Sequence, residues 1–178
     1  MEDKQILQLA TSFPPIVGTT PKILILGSMP GMESLKQQRY YAHPRNAFWP
    51  IITSLYGPSK KLDYSQRCEL LKQQQSAVWD VLKSCRRPGS LDQHIETESM
   101  IANDFVAFLQ SYPSIKQILF NGGKADQVFK RYAAKQLEAA GISLLYRRLP
   151  STSPAHAAMN YETKQQLWHQ ALLETVTP

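Results

Sequence analysis

The sequence predicts an α/β fold, a three-layer α/β/α sandwich around a central, mainly parallel four-stranded sheet. Three observations carry this. Four short apolar runs are bounded by turn residues, helical patterns of about ten residues or more separate them, and the first run is apolar throughout. A strand buried on both faces reads that way, and covering both faces takes helices.

The elements follow in order. "KILILG" (22–27) is the first strand, closed by a glycine. Helical patterns at 47–56 and 63–75 precede the second strand, "SAVWDVL" (76–82). A helix at 102–111, started by Asn103-Asp104, leads to the third, "IKQILF" (115–120). A helix at 124–140, stopped by Gly141, leads to the fourth, "SLLYRRL" (143–149), and a last helix at 161–174 starts from Asn160. No repeat or long linker divides the 178 residues, so 1–178 is expected to be a single domain.

Composition narrows the function classes. No apolar stretch reaches the roughly 18 residues of a membrane span. The N-terminal "MEDKQILQLATSFPP" is polar and acidic where a secretion signal is basic and then apolar, so a cytoplasmic location is expected. Cys68 and Cys85 are too few for a disulfide scaffold, and no metal-ligand spacing occurs, so neither metal nor cofactor is expected. With 20 Lys and Arg against 14 Asp and Glu, the net charge is +6, which suits a polyanionic partner without demanding one. Arginine pairs at Arg86-Arg87 and Arg147-Arg148 stand in or beside the second and fourth strands.

Ligands of open parallel sheets bind beyond the carboxyl ends of the strands. The segments that gather there are "GSMPG" (27–31), the stretch around Asp80, "NGGK" (121–124) and "PSTSPAH" (150–156). "GSMPG" lacks the Gly-Lys-Ser/Thr of a phosphate loop and the third glycine of a dinucleotide fingerprint. It serves equally as a plain turn or as a loop whose amides face a ligand. No nucleophile elbow is present.

"ILILGSMPG", a spacer, "YYAHPRNAFW" (40–49) and then "LPSTSPA" (149–155) resemble the uracil-DNA glycosylase superfamily. The local match is closest to the mismatch-specific branch, with its Gly-Ile-Asn-Pro-Gly and Phe-Ala-His-Pro-Ala-Asn-Arg-Phe-Trp motifs. The combination is most similar to the DNA-deoxyinosine (hypoxanthine-DNA) glycosylase branch. The resemblance spans about residues 20–175. It implies a monofunctional glycosylase of base excision repair, acting as a monomer on DNA that contains a damaged base. Such an enzyme flips the nucleotide out of the stack and hydrolyses its N-glycosidic bond. Excision of uracil from mismatches, or a non-catalytic DNA-binding module on the same scaffold, are the alternatives.

Carried onto this sequence, the resemblance implies a base-binding set of Gly27, Ser28, Met29, Pro30, Gly31, Tyr41, Asp80 and Asn121. Tyr41 takes the place of a phenylalanine that stacks on the extruded base, and Asp80 that of a base-reading asparagine. Met29 stands where the mismatch-specific branch has its water-orienting asparagine, and Leu149 where the second motif has Asn or His. A thioether holds no water, so Asn46 or Asp80 is expected to place it, and Asn46 has helix capping as its other reading. Arg45, Arg86, Arg87, Arg147, Ser151, Thr152, Ser153 and His156 are the expected DNA contacts.

Overall fold

Ile23–Gly27 (β2) lies inside the main sheet because every residue of it is buried. The computed structural model describes residues 9–174, so the first residues of the N-terminal stretch discussed above lie outside it. Ser76–Asp80 (β3) and Gln117–Asn121 (β6) flank β2, one on each side, and Leu145–Leu149 (β7) pairs with β6 to complete the far edge. All three pairings are parallel, in the order β3-β2-β6-β7.

Side chains alternate across the pleat. Leu24, Leu26, Ala77, Ile118 and Phe120 pack on one face with Phe105–Ser111 (α4), Gly123–Tyr132 (α5) and Ala134–Ala139 (α6). Ile23, Ile25, Val78 and Leu119 pack on the other with Phe48–Tyr56 (α2), Tyr64–Gln73 (α3) and Tyr161–Glu174 (α7). These are the three layers the sequence predicts. Asp104 accepts from the Ala107 amide and Asn160 from the Thr163 amide, so both expected helix starts are caps. Gly141 has φ +71°, which suits a stop that only glycine takes freely.

Several boundaries differ from expectation. The second run does not stay one strand. After Asp80 the chain turns away, and Leu82–Arg86 (β4) joins an antiparallel second sheet between Leu9–Thr11 (β1) and Ile101–Ala102 (β5). The bend is locked by Val81 N–H to Gly27 O at 2.8 Å and Leu82 N–H to Ser28 O at 3.1 Å. The 124–140 helix breaks at Ala133 into α5 and α6. A short helix, Met32–Gln37 (α1), follows "GSMPG" and carries no sequence signal beyond its length. No helix among the described residues is long and apolar enough to cross a membrane.

Candidate active site

The strand β2 is where the sheet order reverses. Its chain leaves toward β3 on one side, and β6 arrives on the other, which leaves a crevice beyond the carboxyl ends. Register aligns Gly27 with Asp80, and Asn121 with Leu149, along that edge. There a cleft of about 640 Å³ opens, lined by residues of 27–31, Tyr41, Asn46, Asp80, Asn121 and 151–156. Segments more than 120 positions apart thus converge in one place.

Gly27 is the floor. A Cβ there would lie 2.6 Å from Asp80 Oδ1 and 3.2 Å from Tyr41 Oη, so only glycine lets both groups approach. Above it the 27–31 loop is clamped by the 87–92 loop. Ser28 Oγ lies 2.8 Å from both carboxylate oxygens of Asp92 and shares its one proton between them. The Met32 amide donates to Ser90 Oγ at 2.8 Å. Arg87, only 5 % exposed, donates to the carbonyls of Pro30 and Gly89 and stands 3.7 Å from Asp92. Arg87 is therefore a strut beneath the loop and not the DNA contact expected of it.

Tyr41 has φ +53°, a backbone state that costs a non-glycine residue about 1 kcal/mol or more. Its neighbours hold it there: the Trp49 indole donates to Tyr40 O at 2.8 Å, and the Ala42 amide donates to Ser34 Oγ at 3.1 Å. The Tyr41 ring stacks on Phe48, centroids 4.0 Å apart, and its hydroxyl reaches toward Gly27. Burial, reinforced by the nearby Asp80 charge and opposed by the Asn121 carboxamide, pushes this phenol well up, so it keeps its proton.

The next residues form a turn in which His43 O accepts from the Asn46 amide at 2.9 Å, with Pro44 and Arg45 at the corner. The Arg45 amide donates to His43 Nδ1 at 3.1 Å, which puts the proton of the neutral ring on Nε2. Asn46 Oδ1 accepts from the Phe48 amide at 2.9 Å. The helix begins one residue later than expected, yet Asn46 does serve its first turn, and its NH2 group is left for the cleft.

Asp80 is 3 % exposed, and its Oδ2 has no hydrogen-bond partner. Burial first, and the Asp92 charge second, push this carboxyl up to about 7, with Arg87 opposing. Among the described residues, the buried side-chain atoms without a hydrogen bond are Asp80 Oδ2, Tyr41 Oη, His156 Nδ1 and Arg87 Nη1. Three belong to residues lining this cleft and the fourth lies beneath it. Orphaned polar groups are costly, and their concentration at one place marks it as built for a ligand.

The far wall is more committed than expected. Asn121 Nδ2 donates to Thr152 Oγ1, and the Thr152 amide donates back to Asn121 Oδ1, both at 2.9 Å. Thr152 is buried, and its carbonyl accepts from the Ala47 amide. This pair is a brace between β6 and the 150–156 loop, so Thr152 is not an exposed DNA contact. Asn121 keeps only one free N–H for a ligand. Ser151 and Ser153 accept from the amides of Ser153 and Ala155 respectively, which stiffens the loop. Leu149, in the place of the second-motif polar residue, is core.

The remaining arginines divide. Arg45 lines the cleft, whereas Arg86 lies on β4 and Arg147 pairs with Glu174 of α7, both outside it. Period-two alternation sends Arg147 and Arg148 to opposite faces, and Arg148 lies against Gly123 at the start of α5. Sequence reasoning missed Asp92, Ser90 and His43, all of which line the cleft. His43 sat in the quoted aromatic motif; Asp92 follows an arginine pair in a loop that gave no signal of folding back.

A family model described as the uracil DNA glycosylase superfamily matches residues 14–176. A protein named hypoxanthine DNA glycosylase from Methanosarcina barkeri is 38 % identical over 116 residues, covering 65 % of this chain and 72 % of that protein. Its namesake from Methanosarcina acetivorans is 36 % identical with the same coverage. A solution NMR structure from Methanosarcina acetivorans, provisionally assigned as a uracil DNA glycosylase, superposes with a TM-score of 0.73 at 31 % identity. That superposition covers 93 % of this chain and 99 % of the other.

Proposed function

The chain belongs to the uracil-DNA glycosylase superfamily, and on that premise we propose that its cleft excises hypoxanthine from DNA, leaving an abasic site. The observation that carries this is Asp80, a buried carboxyl with an unpaired oxygen beside the glycine floor. Hypoxanthine offers an N1–H donor where adenine offers an acceptor. Once ionised, an Asp80 oxygen satisfies the first and is left facing a lone pair by the second.

In this reading the extruded nucleotide enters with its base toward Gly27 and Asp80, beside the Tyr41–Phe48 ring pair. Base–aromatic contact of this kind contributes about 1–3 kcal/mol and tolerates any base. The C1′–N9 bond breaks with its electron pair leaving on the base, and backbone donors of 27–31 with the free Asn121 N–H stabilise that charge. Asn46 holds the attacking water. The water oxygen bonds to C1′ and its proton passes to the departing base, giving neutral hypoxanthine. Arg45, Ser151, Ser153 and His156 at the cleft meet the strand that carries the nucleotide. The enzyme works as a monomer, in the cytoplasm with the DNA, and without a cofactor.

Uracil also presents an N–H beside a carbonyl, so a panel decides. Single-turnover incubation with duplexes bearing hypoxanthine, uracil, xanthine or ethenoadenine should release hypoxanthine fastest. Faster release of uracil would move the activity to mismatch uracil excision, and no release from any duplex would leave a binding module. Affinity for the same duplexes should fall steeply as salt rises from 50 to 200 mM, and a flat response would remove the phosphate contacts.

A further inference from the structure

Asp92 is an acid on the wall of a cleft that must admit a polyanion, where a carboxylate works against binding. It is also carefully held. Ser28 shares its one hydroxyl proton between both of its oxygens, each 2.8 Å away, and Arg87, with a side chain 1 % exposed, supports it from below at 3.7 Å. The Asp92 side chain itself is 40 % exposed, whereas Asp80 is 3 % exposed. The two acids therefore sit at different depths of one cleft. Burial raises the Asp92 carboxyl, while the Ser28 hydrogen bond and the charges of Arg87 and Lys124 favour its ionised form.

Depth assigns the partner. A nucleotide entering base-first puts its base at Asp80 and leaves its deoxyribose nearer the mouth. When the glycosidic bond breaks, positive charge develops on C1′ and the ring oxygen of that sugar. Resting on the excision reading above, we propose that Asp92 is a further catalytic residue whose carboxylate faces the deoxyribose and stabilises this positive charge. It exchanges no atom: the base takes the bonding electrons, water supplies the new C1′–O bond and gives up one proton, and Asp92 stays ionised throughout. Ser28 and Arg87 fix its position, so little reorganisation is needed as the charge appears.

The test uses two duplexes with uncleavable sugars, one carrying a neutral tetrahydrofuran abasic site and one a cationic pyrrolidine in its place. The wild-type chain should bind the cationic duplex at least tenfold more tightly. Asp92→Asn should abolish that preference while binding the neutral duplex as well as the wild type or better, and should slow hypoxanthine release on the order of 100-fold. Undiminished binding of the neutral duplex also reports that the variant is folded. A preference retained in Asp92→Asn, absent from the wild type, or lost with equal weakening on both duplexes would overturn the proposal, the last by making Asp92 a loop clamp only. A wild type that leaves an inosine duplex intact would instead overturn the excision reading. Release by the wild type with an unchanged preference in the variant would sink the Asp92 role alone.

Discussion

Asp80→Asn should be more stable than the parent chain at pH 8 and nearly equal to it at pH 4. The Asp80 carboxyl titrates at about 7 in the fold against 3.8 ordinarily. Between those values the folded chain keeps a proton that the unfolded chain has released, so stability falls as pH rises through that window. Fully ionised, the group costs the fold on the order of 4 kcal/mol. Asparagine is nearly isosteric and cannot ionise, so the variant escapes that loss. For a chain of this size the melting temperature should rise by roughly 10 °C at pH 8. The same substitution should lower the preference for hypoxanthine over adenine at least tenfold, because an amide can turn a donor toward adenine N1. Thermal melts at pH 4 and pH 8, paired with release assays on both bases, read the two effects. A parent chain as stable as the variant at pH 8, or a variant with unchanged selectivity, would remove Asp80 from the role given to it.

Asn46→Ala should slow single-turnover hypoxanthine release at least tenfold and lower stability by about 1 kcal/mol. The two effects come from different atoms. Oδ1 is engaged with the Phe48 amide, whereas the NH2 group is left for the cleft. Asn46→Ser keeps an acceptor for the helix start and loses the amide donors. It should therefore recover the stability and not the rate. Recovery of both by serine would reassign Asn46 to the helix alone.

The fold was legible because it rests on burial and period. "ILILG" is apolar at every position because it has a neighbour on each side and helices above and below, and that pattern survives in one dimension. The break at Val81 did not survive, because it depends on hydrogen bonds to Gly27 and Ser28 more than fifty residues away. The site divides in the same way. Tyr41, Asn46 and Asp80 were visible through the motif they sit in or the strand end they occupy. Arg87 and Asp92 were misjudged or missed for a common reason. Whether an arginine faces phosphate or props a loop is set by how the 87–92 segment folds over 27–31, and no local spacing encodes that. Arg147 and Arg148 show the smallest version of the problem: adjacent residues on one strand face opposite ways, and only the register says which way each one turns.

The central claim is that loops distant in sequence make one slot for an extruded base. Its most direct test is a crystal structure with a duplex carrying 2′-fluoro-deoxyinosine, which resists cleavage. The hypoxanthine ring should lie in the cleft between Gly27 and Asn121, with N1 about 3 Å from an Asp80 carboxyl oxygen. A base still stacked in the duplex over an empty cleft, or a sugar lying deeper than its base, would contradict it.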